Sequence, residues 1–110
     1  MNKVKITVLE TTLNTALVSE YGVAGLGVCP FLKEGDVYYA DYAKPDGFCD
    51  EAWKSIHQFV FALAHGVGKD GSLLYHGEWV SKPGVSINTC SDGLRPVVFK
   101  LETTDLESVV

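Results

Sequence analysis

The chain has little positive charge and no long hydrophobic run. It carries 9 basic residues, with Arg95 the only arginine, against 14 acidic ones, so its net charge is −5. Such a surface repels nucleic acid and anionic lipid, and we expect no nucleic-acid partner. No stretch approaches the roughly 20 apolar residues that cross a bilayer, and the first residues lack the apolar run of a signal peptide. We therefore expect a cytoplasmic protein with no membrane partner.

Short motifs that carry catalysis are also missing. The sequence has no Cys-x-x-Cys pair, no phosphate loop, no Gly-x-Ser-x-Gly elbow and no His-Glu-x-x-His helix. Gly25-Leu26-Gly27 begins like a dinucleotide fingerprint, but the third glycine and the following helix are absent. Any functional site must therefore be assembled by the fold from residues that are far apart in the sequence.

What the sequence does contain is typical of one globular domain, residues 1–110, because 46% of it is hydrophobic and 21% charged. Alternating apolar residues and turn signals predict strands at 3–9, 37–42, 85–90 and 97–102, and helical spacing predicts helices at 13–21 and 50–65. Thr11 or Thr12 is the expected cap of the first helix. The Asp92-Gly93 pair is typical of a hairpin turn, and the acidic tail from Thr104 is expected to be frayed.

This order of elements predicts an α+β domain. The expected architecture is a small, mostly antiparallel sheet with two helices on one face, since that arrangement buries the apolar sides of all elements. A ferredoxin-like split βαβ arrangement is the first expectation for its topology. A small distorted barrel is the alternative.

Three cysteines lie at predicted element boundaries: Cys29 precedes Pro30, Cys49 precedes the long helix, and Cys90 opens the hairpin turn. An odd number of thiols cannot pair fully within one chain, and the cytoplasm keeps thiols reduced, so structural disulfides are the poorer explanation. A thiolate is both a nucleophile and a metal ligand, and a helix N-terminus favours it at Cys49. We therefore expect one convergent site.

Two interpretations of these thiols stay open. Cys29, Cys49 and Cys90 suit zinc with His76 as a fourth ligand, or an iron–sulfur cluster. The gaps of 20 and 41 residues between them provide no local chelate, however. Cysteine is also among the most buried residue types, and the three would then be structural.

Arg95 lies near Cys90 in the sequence and can bind a carboxylate or a phosphate, which makes a small anionic ligand a candidate partner. The ordinary alternative is a salt bridge to Asp50, Glu51 or Asp92. His57 falls near the apolar stripe of the long helix, so we expect it to be partly buried and not a ligand.

Four stretches carry a resemblance: Val4–Leu9, Gly27–Asp36, Pro45–Trp53 and Cys90–Lys100. They resemble a family of small, uncharacterised bacterial and archaeal proteins that are frequent in anaerobes, and the similarity spans nearly the whole chain. The Phe-Cys-Asp and Cys-Ser-Asp-Gly-Leu-Arg-Pro blocks are its most specific parts. The family pattern has cysteines at all three positions, which favours a shared site, and it implies no activity. Glu51 and Lys54 depart from the more hydrophobic or small residues usual there.

Three functions remain open on this reasoning. The favoured one is a metal or redox centre of Cys29, Cys49 and Cys90, accessory to an anaerobic enzyme system. The second is a non-catalytic interaction or assembly domain with buried cysteines, which would form a homo-oligomer or bind a protein partner. The third is an enzyme with Cys49 as nucleophile and Arg95 holding a small anionic substrate, with His57 or His76 moving protons.

Overall fold

A four-stranded sheet and one long helix make up the centre of the computed structural model, which describes residues 1–109. The elements are β1 (Asn2–Thr11), α1 (Thr15–Tyr21), β2 (Val37–Ala40), α2 (Asp50–Ala64), a 3-10 helix (Leu74–Gly77), β3 (Val85–Thr89) and β4 (Val97–Glu107). The strand order is β2-β1-β4-β3, and all neighbours are antiparallel. The α+β prediction is confirmed, as an open sheet and not a closed barrel.

The core forms between one face of the sheet and α2. Alternate residues of the central strands point into it, and so does the apolar stripe of the helix. Its members include Val4, Ile6 and Val8 of β1, Val97, Phe99 and Leu101 of β4, and Ala52, Ile56, Val60 and Leu63 of α2. Full burial of a valine, leucine, isoleucine or phenylalanine side chain stabilises a fold by roughly 1.5–3 kcal/mol. The opposite face remains open, because Tyr39 and Ile87 project from it and are exposed.

The first helix does not share this face, contrary to expectation. None of the residues of α1 is buried. The N–H groups of Thr12 and Asn14 donate to the carbonyls of Pro96 and Leu94, so α1 begins beside the β3–β4 loop, past the end of the sheet. Asn14 caps the helix by accepting from the Leu17 N–H at 3.2 Å, and the prediction of a threonine cap is wrong.

The split βαβ prediction is also wrong. Such a unit needs two parallel strands around its helix with another strand between them. Here β1 and β2 are direct antiparallel neighbours, with Val4 opposite Ala40 and Thr7 opposite Val37. The sequence 33–36 turns the chain back, because Gly35 adopts a φ of 90° and Asp36 accepts from the Lys33 N–H.

The acidic tail is more ordered than its composition indicates. β4 runs on to Glu107, which lies opposite Asn2 in the ladder with β1. The Asn2 side-chain amide donates to the Thr104 carbonyl at 3.1 Å, and the Thr104 hydroxyl donates to the Lys3 carbonyl at 2.6 Å. These long-range bonds extend the strand beyond the predicted fraying point. No helix among residues 1–109 is long and apolar enough to span a membrane.

Candidate functional site

The three cysteines line one cavity at the N-terminal end of α2. Its volume is about 240 Å³, and the other lining residues are Phe31, Glu51, Ala52, Ser91, Asp92 and Arg95. Each cysteine is free and half-buried, and each packs against the core. The three come from separate parts of the chain: Cys29 from the loop before β2, Cys49 from the start of α2, and Cys90 from the end of β3.

Cys49 is positioned by the turn that precedes α2. Gly47 has a φ of 77°, and the Phe48 N–H closes the turn on the Pro45 carbonyl. Phe48 is buried against Phe99, at a ring centroid distance of 5.5 Å. Cys49 is therefore the N-cap of α2, and its side chain makes no capping bond. Its sulfur remains available to the cavity, next to the positive end of the helix dipole.

Cys90 is held by a reciprocal pair of hydrogen bonds with the first residue of β4. The Cys90 N–H donates to the Val97 carbonyl at 3.1 Å, and the Val97 N–H donates to the Cys90 sulfur at 3.3 Å. The same pair closes the base of the loop that carries Ser91, Asp92 and Arg95.

Cys29 lies in the long loop between α1 and β2. Leu32 anchors this loop, since its side chain is almost fully buried in the core. The loop is then tied to β1, because the Gly35 N–H donates to the Val8 carbonyl and the Val8 N–H donates to the Asp36 carbonyl. Phe31 projects outward with 76% of its surface exposed, and it borders the cysteine cavity.

Asp92 organises the loop between β3 and β4. Its carboxylate accepts from the Leu94 N–H at 2.8 Å, from the Arg95 N–H at 3.3 Å, and from the Arg95 Nε at 3.2 Å. These bonds hold the pKa of Asp92 below its ordinary value, and the bond from the Leu94 N–H has the largest effect. Partial burial acts in the opposite direction and raises the pKa. Gly93 does not adopt a positive φ, so the loop is an Asp-centred turn and not the expected two-residue Asp-Gly hairpin turn.

Of the three acids proposed as partners of Arg95, the structure pairs it with Asp92. This ion pair uses the Nε of Arg95, and within residues 1–109 its two terminal guanidinium nitrogens make no hydrogen bond. Arg95 is thus fixed at its Nε and retains donors beside the cavity. Glu51, the other charged lining residue, forms an ion pair with Lys54 at 2.9 Å.

One hydrogen bond joins α2, which follows Cys49, to the end of β3, which precedes Cys90. The Ser55 hydroxyl of α2 donates to the Thr89 carbonyl at 2.6 Å. Thr89 directly precedes Cys90, and Ser55 lies on the helix that Cys49 begins. The bond therefore fixes the end of β3 against the N-terminal part of α2 and sets the relative positions of these two thiols.

The charge of the cavity favours a cationic or neutral occupant over an anion. Its ionisable lining residues besides the thiols are Glu51, Asp92 and Arg95, so their formal sum is −1, and any thiolate makes it more negative. Thiolates are soft ligands that select zinc and iron–sulfur clusters. As the side chains stand, however, no set of three or more His, Cys, Asp or Glu residues within 1–109 is arranged to hold a metal ion.

The two histidines proposed for the site lie outside the cavity lining. His76 belongs to the 3-10 helix, where it and Tyr75 both have a φ of 55°. His57 is exposed on α2, with its ring 6.2 Å from that of Trp53, so the expectation that it is partly buried is wrong. The buried residues of α2 are Ala52, Ile56, Val60, Leu63 and Ala64, and His57 lies outside this face.

Sequence reasoning missed four residues of the lining: Phe31, Glu51 as a lining residue, Ala52 and Ser91. A signal existed for all four, because each lies within three residues of a cysteine. The loop or helix end that places a thiol in the cavity places its sequence neighbours there as well.

Comparison with protein-family models, with curated proteins and with solved structures gives no match.

Proposed function

We propose that the protein is a small thiol-centre protein, whose Cys29, Cys49 and Cys90 together hold a soft metal ion or an iron–sulfur cluster. The observation that supports this most is that all three cysteines line one cavity although they come from three separate elements. Core packing alone does not require three cysteines from separate elements to line the same cavity. The resemblance noted in the sequence favours the same shared site.

The donor chemistry fits such a group. The three sulfurs would be its protein ligands, and the cavity would leave a further coordination position for an external ligand. The position of each cysteine sulfur depends on one side-chain torsion, about the Cα–Cβ bond. Rotation about this bond would bring the three half-buried sulfurs to a common metal position. A bound metal would supply Lewis acidity or electron transfer. Arg95 would then lie at the edge of the centre with its terminal donors free.

The location and role follow from the same chemistry. Metal-binding thiols must stay reduced, so a cytoplasmic location belongs to the proposal. The family that the sequence resembles is frequent in anaerobes, and we include in the proposal that the protein acts as an accessory to a larger enzyme system in anaerobic metabolism.

The test is elemental analysis and a visible absorption spectrum of protein purified anaerobically without chelators. The proposal expects near-stoichiometric zinc or iron, and its loss in Cys49→Ser. Val28→Ser is a matched control, because Val28 is exposed next to Cys29 and lies outside the cavity lining. Metal-free protein that also takes up no added zinc or iron would overturn the proposal. It would favour the interaction domain with structural cysteines.

A second function is supported by a specific observation, the N-cap position of Cys49. Its sulfur makes no capping bond and lies at the start of a 15-residue helix. In this alternative Cys49 is a nucleophile, and the free donors of Arg95 hold a small anionic substrate against the net negative charge of the lining. Neither His57 nor His76 lines the cavity, so neither is assigned the proton transfer.

Alkylation rates separate this alternative from the first. Iodoacetamide would label Cys49 much faster than Cys29 or Cys90 if Cys49 is an activated nucleophile, as followed by mass spectrometry of the peptides. Equal and slow labelling of all three would argue against it. Common protection of all three by added zinc would point back to the metal centre.

A further inference from the structure

A second cavity lies along β3 and shares no lining residue with the cysteine cavity. Its volume is about 580 Å³. One wall is the open face of the sheet at Val85 and Ile87 of β3. Another is the segment that carries Tyr75 and Trp79. Nothing in the proposed thiol chemistry uses this surface.

The strand beside this cavity has an unpaired edge. β3 is the last strand of the sheet, with β4 as its one neighbour. The Thr103 N–H donates to the Gly84 carbonyl, and the Cys90 N–H donates to the Val97 carbonyl. Because hydrogen bonding alternates along an antiparallel ladder, Ser86 and Asn88 between them also face β4.

The intervening residues must then direct their backbone groups outward. Val85 and Ile87 point their N–H and C=O away from β4, and these groups make no hydrogen bond within residues 1–109. Thr89 differs, because its carbonyl accepts from Ser55. An open edge with regularly spaced donors and acceptors is the template for strand addition.

The cavity offers side-chain recognition next to that edge. The rings of Tyr75 and Trp79 stack at 4.2 Å, and Trp79 is 76% exposed. Tyr75 and His76 both adopt left-handed conformations that non-glycine residues rarely occupy. Such costly backbone geometry is often found where a segment binds a ligand. The aromatic pair and Ile87 form an apolar part of the cavity lining, against which one side chain can pack.

The charges around the cavity indicate what kind of strand fits. Its charged lining residues are Lys82 and Lys100, and no carboxylate lines it. Lys100 is paired with Glu102 at 3.3 Å, whereas Lys82 forms no ion pair within residues 1–109. A second copy of this chain, pairing β3 with β3, would bring two sets of these lysines together. An acidic strand from another protein would be complementary.

We propose that β3 is a docking edge for an extended acidic peptide segment of a partner protein. The segment adds as a fifth strand, and its backbone pairs with the outward groups of Val85 and Ile87. One of its apolar side chains packs against the cavity lining beside Tyr75 and Trp79, and its acidic side chains approach Lys82. This docking edge is independent of the thiol centre.

The test uses the full protein to select from a displayed library of random nine-residue peptides. Selected peptides are then synthesised with a fluorescent label, and binding is followed by anisotropy. The proposal expects enrichment of sequences that alternate acidic and apolar residues. It expects Ile87→Pro to weaken their binding by about fivefold or more, because the outward N–H is lost. Proline is tolerated at an edge-strand position whose N–H faces outward.

Two variants keep the result interpretable. Ile87→Val keeps the N–H and most of the side chain, and it should bind nearly as the unaltered protein does. Lys82→Glu leaves the ladder untouched and should weaken acidic peptides by about threefold or more, an effect that added salt should reduce. If Ile87→Pro fails to fold, Lys82→Glu alone decides the matter.

Three results would overturn the proposal. They are a library that enriches nothing, enriched peptides that bind Ile87→Pro and Lys82→Glu undiminished, and enriched peptides without acidic residues. Sedimentation of the protein without peptide can give a fourth such result. A dimer that Ile87→Pro dissociates would show that a second copy of this chain occupies the edge.

Discussion

Cys90 and Val97 exchange hydrogen bonds across the base of the β3–β4 loop, with the Val97 N–H donating to the Cys90 sulfur at 3.3 Å. The sulfur therefore has a structural partner besides any ligand. Cys90→Ala removes this acceptor and leaves the Val97 N–H unpaired, which we expect to lower the free energy of unfolding by about 1 kcal/mol. Cys90→Ser retains an acceptor and should lose less. Urea unfolding of reduced, metal-free protein measures both, and equal losses would contradict this account.

Asp92→Asn tests the charge that organises the same loop. The folded-state pKa of Asp92 is lowered from 3.8, mainly by the Leu94 N–H. Its carboxylate therefore stabilises the fold at all pH values above 3.8, and this contribution is lost as the pH falls below 3.8 through the folded-state pKa. The Asp92 side chain is 40% exposed, so solvent screening keeps the difference at neutral pH below about 1 kcal/mol.

The measurement for Asp92→Asn is urea unfolding at neutral pH and again well below pH 3.8, the ordinary value for an aspartate. The variant should be the less stable protein at neutral pH and should converge with the unaltered protein in acid. Asp46→Asn is the control, because Asp46 is an exposed turn residue and makes no ion pair within residues 1–109. A deficit that persists unchanged in acid would exclude an electrostatic origin.

Ser55→Ala tests the bond that sets Cys90 relative to α2. Loss of the hydroxyl leaves the Thr89 carbonyl without its donor, and we expect a loss of about 1 kcal/mol in unfolding free energy. The end of β3 should also loosen, so that iodoacetamide labels Cys90 faster while the rate at Cys29 stays the same. Ser19→Ala on the exposed helix α1 is the control and should change neither quantity. Unchanged labelling of Cys90 would show that the bond does not position it.

The elements with strong periodicity were predictable. The sequence predicts α2 at 50–65, and the helix spans Asp50–Ala64, because its apolar stripe and the glycine after it are both encoded locally. β1 and β3 also lie close to the predicted residues. The end of β4 was not predictable, because polar side-chain bonds to β1 hold it, such as that from Thr104 to Lys3. No local pattern reports a contact between residues that distant.

The position of α1 depended on tertiary contacts as well. Its residues have helical spacing, yet the bonds of Thr12 and Asn14 to the β3–β4 loop place it past the sheet. An apolar stripe predicts a helix and does not identify the surface that it will face. The same limit explains the split βαβ prediction, since the turn at 33–36 returns β2 directly alongside β1.

For the site, the sequence indicated the thiols and little of their surroundings. Cysteines at element boundaries gave a reason to expect that they meet, and Cys29, Cys49 and Cys90 do line one cavity. The choice of Asp92 as the partner of Arg95 depends on the loop geometry, which spacing does not encode. His76 is placed by two consecutive residues with positive φ, a conformation that no sequence rule assigns to Tyr-His.

The most direct test of the three-thiol centre is a cobalt(II) titration of anaerobically reduced protein, read from the sulfur-to-cobalt absorption band. The account predicts saturation at one equivalent per chain, and a large loss of affinity in each of Cys29→Ser, Cys49→Ser and Cys90→Ser, because all three sulfurs are proposed as ligands. The Val28→Ser control should bind as the unaltered protein does. Absence of the band, or full binding by any one of the three cysteine variants, would contradict the account.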